Sequence, residues 1–283
     1  MDRFDWLEVE SSTPTRETKA QIAWQAPQDG PTFYRAARRM RQSGHFKAAA
    51  DYYRSAIGYD DQNFAARVEL VDTLIRAGRV QDADAVSQEA IDSYRQVRQF
   101  YASRALVLAH QSKFNDAFPL SDVSVEGGDR SWYSRCVRAE LLLKLNADHR
   151  FSALELIEEA AGLAERPWEC YFLAGWMFLD AGMPALAASH LTEAAHLNPR
   201  ATICWLCLGD SFRELKFYDQ AQYYYQRVVE LESSHDVAIE RQKLCAPKLF
   251  GLLRGIRRES LFQRWNREFD RILKNAEPNP DDF

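Results

Sequence analysis

An alanine recurs at a fixed spacing along most of this 283-residue chain. The six equivalent positions are Ala49, Ala83, Ala117, Ala153, Ala187 and Ala221. Every interval is 34 residues except the one that ends at Ala153, which is 36. A constant period of this length is typical of proteins built from stacked structural repeats. The chain is therefore predicted to contain six repeat units, which start near residues 30, 64, 98, 132, 168 and 202.

The apolar pattern within each unit is typical of two amphipathic helices. Compact residues recur in the first helix of every unit, at Ala37, Val71, Ala105, Ala139, Gly175 and Gly209. They allow helix axes to approach closely while larger apolar neighbours interdigitate. Gly44, Gly78 and Gly182 fall between the two helices, where a residue with positive φ ends a helix. With 12 glycines and 10 prolines, the composition also favours helices over a turn-rich β fold, so we expect an all-α protein.

Two units are irregular. Pro119 lies inside the second helix of the third unit and is followed by residues that form helices poorly, which predicts a short or kinked helix. The fourth unit contains two extra residues within NADHRFSA, which lengthens one turn.

Residues at fixed places within a unit carry a family resemblance. In the sixth unit they are Trp205, Leu208, Gly209, Phe212, Tyr218, Ala221 and Tyr225. Together with the 34-residue period, this pattern resembles the tetratricopeptide repeat over about residues 30–235. The resemblance implies a right-handed superhelical α-solenoid of six helix pairs. It also implies a concave groove, lined by the first helices, that binds peptides or extended segments of another protein.

Projecting the first helices onto this groove selects candidate partner-binding residues. They are Tyr34, Arg35, Arg38, Arg41, Asp72, Leu106, Glu140, Leu143, Phe172, Trp176, Leu179, Asp210 and Arg213. The lining begins basic, becomes apolar in the middle and ends mixed, which favours an amphipathic helix or an aromatic peptide as ligand. Phe172 and Trp176 are the expected hot spots, because buried aromatic side chains usually dominate binding energy.

Residues 1–29 are predicted to form an N-terminal arm outside the array, either flexible or docked. The arm contains six acids and three bases, a net charge of −3, and Phe4, Trp6 and Leu7 form an apolar group within it. Opposite charge motivates the hypothesis that the arm docks on the arginine-rich start of the groove. Docking in the same chain would occupy the groove, and docking in a second copy would give self-association.

Residues 236–283 follow the sixth unit. A helix near residues 236–246 is expected to cover the apolar face that a repeat array exposes at its end. Residues 247–275 carry eight bases and three acids, a net charge of +5, before an acidic tail. Such a basic amphipathic helix packs on the array, binds a partner or contacts a membrane surface, and the sequence leaves these alternatives open. Its apolar stripe and flanking arginines are Phe262, Trp265, Phe269, Arg264 and Arg267.

The sequence offers little for catalysis. It contains no phosphate-binding glycine loop, no nucleophile elbow and no H-E-x-x-H zinc motif. Cys204 and Cys207 have C-x-x-C spacing, but they lie within a repeat helix without a second Cys or His pair, so packing is preferred to metal binding. We therefore expect no enzyme, no cofactor and no metal site.

Net charge and cysteine content restrict the expected cellular compartment and the class of binding partner. The net charge of 36 − 41 = −5 argues against a dedicated nucleic-acid binder. Five scattered cysteines, an acidic N-terminus and the lack of a long apolar run predict a cytoplasmic protein. The leading interpretation is a non-catalytic scaffold or adaptor for another protein. The alternatives are a peripheral membrane adaptor that uses the basic C-terminal helix and a regulatory subunit of an enzyme complex.

Overall fold

In a computed structural model of the chain, residues 29–126 and 131–245 are described, and they form thirteen α-helices and no strand. Twelve of the helices form six consecutive antiparallel pairs, so the fold is an all-α solenoid. The pairs are α1 (Gly30–Gln42) with α2 (Phe46–Tyr59), α3 (Phe64–Arg76) with α4 (Val80–Ser93), α5 (Arg98–His110) with α6 (Phe114–Val125), α7 (Trp132–Leu145) with α8 (Arg150–Leu163), α9 (Pro167–Asp180) with α10 (Pro184–Leu197), and α11 (Thr202–Glu214) with α12 (Tyr218–Leu231). Helix α13 (Asp236–Leu244) follows the last pair, where the sequence predicts a covering helix.

Close approach of the two helices in a pair depends on small side chains. The six recurrent alanines of the second helices are all completely buried. In α9 and α11 the approach is closest: a Cβ added to Gly175 would lie 2.3 Å from the Leu191 side chain, and one added to Gly209 would lie 2.3 Å from the Tyr225 ring. The regular recurrence of compact residues therefore has a direct steric cause, since a larger residue would push the helices apart.

In five of the six pairs, all but the fourth, the turn between the two helices contains a residue with positive φ. Gly44, Gly78 and Gly182 have φ of 77°, 74° and 72°, as the sequence predicts. In the third and sixth repeats Ser112 (φ 61°) and Lys216 (φ 64°) occupy the same place. Non-glycine residues seldom adopt this conformation. In these two repeats the flanking helices thus impose the turn although glycine is absent.

The two irregular units differ locally. Helix α6 continues through Pro119 and ends at Val125, so it has 12 residues, whereas α2 has 14. It is short, as expected from the proline and the residues that follow it. The two extra residues of the fourth unit are accommodated by a single 3₁₀ turn, Ala147–His149, between α7 and α8.

The first helices lie on the concave side, because each of α3, α5, α7 and α9 also contacts the first helix of the next repeat. The array does not remain open: α11 packs against α1, so the last repeat returns to the first. The Thr202 hydroxyl donates a hydrogen bond to the Gln42 carbonyl oxygen at 3.3 Å. A Cβ added to Gly44 would lie only 3.0 Å from Ile203. The sequence alone predicts a superhelix with an accessible groove, whereas contact between its two ends narrows that groove.

Candidate functional site

The concave face is the surface where the family resemblance implies binding, and its centre is filled by ion pairs. Arg76 of α3 donates to Glu140 of α7 at 2.7 Å and 3.2 Å, and to Asp72 at 3.2 Å and 3.3 Å. Its guanidinium also lies 5.5 Å from the centre of the Trp176 ring on α9. The side chains of Arg76, Asp72 and Glu140 are only 2–3% exposed. Buried charges therefore join α3 to α7 across the groove, and the Trp176 ring connects α9 to the same guanidinium.

A second set of pairs holds α1 in place. Arg38 bridges Glu69 of α3 and Glu169 of α9, which crosses the groove, and Arg41 donates to Asp72 at 2.9 Å. The Glu69 carboxylate also accepts a hydrogen bond from the Tyr34 hydroxyl at 2.6 Å. Arg38 and Arg41, two of the three arginines predicted at the start of the groove, are therefore already paired with acidic side chains of the chain itself.

The environment of these groups keeps them in fixed protonation states. Burial raises the pKa of Tyr34 above its ordinary value of 10, and the neighbouring Glu69 charge raises it further, so the phenol stays a donor. Burial acts to raise the pKa of Glu140, but the Arg76 charge and the hydrogen bond from His110 outweigh it and lower the pKa below 4.5. Glu140 is therefore ionised at neutral pH, and the pairs persist as ion pairs.

The predicted groove residues have different surroundings. Leu106, Leu143 and Phe172 are at most 5% exposed and belong to the hydrophobic cores. Trp176 is half-buried, with its ring edge-on to Phe46 at 5.7 Å. Leu179 is also half-buried and packs against the same core. The structure thus brings most of the predicted set to one face, but it covers the middle of that face with the chain's own side chains.

The predicted residues at the two ends of the groove form separate groups. Asp210 accepts a hydrogen bond from the Tyr225 hydroxyl at 2.7 Å and pairs with Arg241 and Arg213. Burial raises the pKa of Asp210, although the Arg241 charge opposes this effect. Arg35 is exposed at the other end, where its guanidinium donates to the Thr32 hydroxyl.

The candidate contact segments at the two chain ends lie outside the described residues. They are Phe4, Trp6 and Leu7 in the arm, and Phe262, Arg264, Trp265, Arg267 and Phe269 in the basic segment.

An opening of about 210 Å³ remains on the concave face near the N-terminal ends of α3, α5, α7 and α9. Tyr34, Arg41 and Asp72 line it, as predicted for groove residues from the sequence, together with Glu69. Seven further lining residues were not predicted from the sequence: Ala65, Glu69, Gln99, Trp132, Tyr133, Arg166 and Glu169. Extending the helical projection to the first turn of each first helix would have found Gln99, Trp132 and Glu169.

Three further properties follow from the described residues. Within 29–126 and 131–245, the concave face holds no cluster of His, Cys, Asp and Glu with metal-ligand spacing; one such cluster lies elsewhere, where the first repeat meets the last. None of the described helices has the length and apolar character needed to cross a membrane. Cys204 and Cys207 are buried in the core, and burial raises the pKa of both thiols, which agrees with a packing role.

Residues 40–107 match a family model described as tetratricopeptide repeat. No curated protein matches the chain. Among solved structures, the chain is similar to YrrB, a TPR protein with an unusual peptide-binding site, at 16% identity over 69% of this chain and 99% of that one, with a TM-score of 0.40. It is also similar to a tetratricopeptide repeat protein from Parabacteroides merdae, at 14% identity over 86% of this chain and 96% of that one, with a TM-score of 0.49.

The matched residues cover the second half of the first helix pair, the whole second pair and most of α5. Helix pairs of similar length continue to α12, and all except the fourth pair have a residue with positive φ in the turn. Tetratricopeptide repeats are in general non-catalytic modules on which proteins assemble. Residues 40–107 are therefore tetratricopeptide repeats, and the helix pairs on either side extend the same all-α fold.

Proposed function

We propose that the chain is a non-catalytic scaffold that binds a peptide or helix of a partner protein at the concave opening beside Tyr34, Gln99 and Trp132. The observation that carries the proposal is the opening itself: it combines half-buried aromatic and polar side chains, whereas the centre of the groove is filled. Aromatic residues are enriched among the side chains that dominate protein interfaces.

The size of the opening favours one anchoring side chain rather than a metabolite. Its volume of about 210 Å³ is below the roughly 300–1,000 Å³ typical of small-molecule pockets. A peptide that inserts one residue and runs along the first turns of the first helices fits such a shape. This geometry supports an interaction module rather than an enzyme.

The charges around the opening favour an apolar or aromatic anchor. Glu69 and Asp72 are already bound by arginine and tyrosine side chains, and Glu169 is paired with Arg38 and Arg166. A charged anchor would lose its hydration without finding a free partner among these groups, which is costly. An aromatic residue stacked on Trp132 would bury apolar area at no such cost.

Binding deeper in the groove would require the array to open. Phe172 is 3% exposed, and Trp176 is covered by Phe46 and Arg76. A helix seated on these two residues must first separate the first repeat from α9 and α11. The first site of contact for a partner is therefore the opening, and the central aromatic residues contribute only in an opened form.

Peptide selection from a random display library tests the proposal. Affinities of the enriched peptides are measured for the wild type, for Trp132→Ala and for Gln99→Arg, which fills the opening without removing a core side chain. Phe151→Ala is the matched control, because Phe151 lies on α8 and is 65% exposed. We expect at least about a tenfold loss for both opening variants, which corresponds to 1.4 kcal/mol, and no change for the control. Equal binding by all four proteins would refute the proposal.

The two alternative functions, a peripheral membrane adaptor and a regulatory subunit, require different experiments. Liposome flotation with and without residues 247–275 examines the membrane adaptor, and co-purification with an active enzyme examines the regulatory subunit. No observation on the described residues favours either one over the peptide scaffold.

A further inference from the structure

Three side chains with metal-ligand chemistry meet where the first repeat contacts the last. His45 lies in the turn between α1 and α2, while Glu232 and His235 lie between α12 and α13. One ligand atom from each lies within 4.8 Å of the others. His45 Nε2 is 2.6 Å from Glu232 Oε1, and the rings of His45 and His235 stack with their centres 5.2 Å apart.

We propose that His45, Glu232 and His235 bind a zinc ion that clamps the first repeat onto the last. Two imidazoles and one carboxylate form a ligand set that zinc accepts, with water as the fourth ligand. Tetrahedral coordination at bond lengths of about 2.0–2.1 Å places ligand atoms roughly 3.3 Å apart. Since the ligand atoms lie within 4.8 Å of one another, the widest separation must shrink by at most about 1.5 Å. All three residues lie in turns, where such a shift does not require a helix to move.

The exposure of the ligands fits an ion that enters from solvent. The His45 side chain is 39% exposed and that of Glu232 is 26% exposed, whereas His235 is buried. Space for the water ligand thus lies on the side of His45 and Glu232. His235 closes the site on its buried side.

Glu232 supplies a second, independent observation. Its Oε1 faces His45, but its Oε2 is buried and has no hydrogen-bond partner. A buried carboxylate oxygen without a partner is costly and rare in folded proteins. A cation bound by this carboxylate would compensate the oxygen directly.

His235 must exchange contacts in order to bind the ion. Its Nε2 now donates to the Ser43 carbonyl oxygen at 2.9 Å, and its Nδ1 accepts a long hydrogen bond of 3.3 Å from the Ala238 amide. Zinc at Nε2 replaces the bond to Ser43, and the ring proton moves to Nδ1, which ends the contact with Ala238. The metal bond is thus gained at the expense of two hydrogen bonds, so the affinity is lower than that of a preformed site.

No metal site is predicted from the sequence, which contains no local metal-ligand motif, and these three ligands lie far apart along the chain. Glu232 lies 187 residues after His45, so no local motif can relate them. The zinc site shares no residue with the concave opening. The two proposals can therefore fail separately.

Calorimetric titration of the full, untagged chain with zinc chloride tests the site after metal has been removed with a chelator. The variants are His45→Gln and Glu232→Gln, which change half-exposed turn residues. His149→Gln is the matched control, because His149 is an exposed histidine in another turn. Melting curves with and without zinc give the second measurement.

We expect one zinc per chain in the wild type and in His149→Gln, and at least about a tenfold loss of affinity in the other two variants. Zinc at about 100 times its dissociation constant should raise Tm of the wild type by roughly 5–10 °C and leave Tm of His45→Gln unchanged. The proposal is overturned if the wild type binds no zinc, or if all three variants bind it as the wild type does.

Discussion

Breaking the buried ion pair between Arg76 and Glu140 should destabilise the closed array. Glu140 accepts hydrogen bonds from both terminal nitrogens of Arg76 and one from His110 at 2.9 Å, and its side chain is 3% exposed. Glu140→Gln keeps the shape of the side chain but removes its charge. Arg76 is then left buried with Asp72 as its remaining acidic contact.

The expected loss follows from these contacts. Removing one partner of a buried ion pair costs about 3–5 kcal/mol, because the other charge stays buried without compensation. Here Asp72 still neutralises part of the Arg76 charge, and the glutamine oxygen still accepts one hydrogen bond. We therefore expect the free energy of unfolding to fall by about 2–3 kcal/mol. Replacing both Arg76 and Glu140 with leucine should cost less than the sum of the single changes.

Urea unfolding followed by circular dichroism provides the assay, with Glu159→Gln as the matched control. Glu159 carries the same side chain and also pairs with an arginine, Arg135, but it is 61% exposed. The same substitution should cost at most about 1 kcal/mol there, because exposed pairs contribute little. A loss for Glu140→Gln no larger than that for Glu159→Gln would refute the assignment of stability to the buried pairs.

The pH dependence of stability provides a second test of the Arg76–Glu140 ion pair. The folded protein lowers the pKa of Glu140 below its ordinary value of 4.5, since the Arg76 charge and His110 outweigh burial. A lowered pKa contributes stability that is complete above the unfolded value and is lost as pH falls through the folded value. The difference in stability between the wild type and Glu140→Gln should therefore be largest near neutral pH and should shrink below about pH 4.

Two other substitutions and one deletion test the packing and the arm. Gly209→Ala should lower the free energy of unfolding by about 1–3 kcal/mol, because its Cβ would meet the Tyr225 ring at 2.3 Å. Gly58→Ala in α2 should raise the free energy of unfolding by roughly 0.5–1 kcal/mol, since no atom lies within 4 Å of the added Cβ. Urea midpoints that move in the same direction for both glycine variants would contradict the steric argument. Deleting residues 1–12 should change the sedimentation coefficient or the affinity for selected peptides if the arm docks near Arg35, and unchanged values of both would exclude docking.

Much of the fold was predictable because its causes are local. Each unit repeats the same buried small residues, so the period and the helix pairs follow from spacing alone. The turn glycines at 44, 78 and 182 were predictable for the same reason. Ser112 and Lys216 were not, because neither residue type favours positive φ, and only the helices on either side force that conformation.

The site was predictable only in part. Projection of the first helices selected Tyr34, Arg41 and Asp72, which do line the opening, but it treated every inward side chain as available to a partner. Burial of Glu140 and Phe172 depends on which residues face them from other repeats. An amphipathic pattern predicts that a side chain points inward, but it does not predict which side chains of other repeats lie opposite.

The sequence by itself determined the class, the period and the small residues that let paired helices pack, because these features repeat within 34 residues. The tertiary structure alone decided that α1 meets α11, that Arg38 reaches Glu169 across 131 residues, and that His45 lies beside Glu232. The physical reason is that a solenoid closes through small rotations that accumulate from one repeat to the next. The total rotation cannot be read from any single repeat, so the contacts between the two ends arise only when all six repeats are stacked.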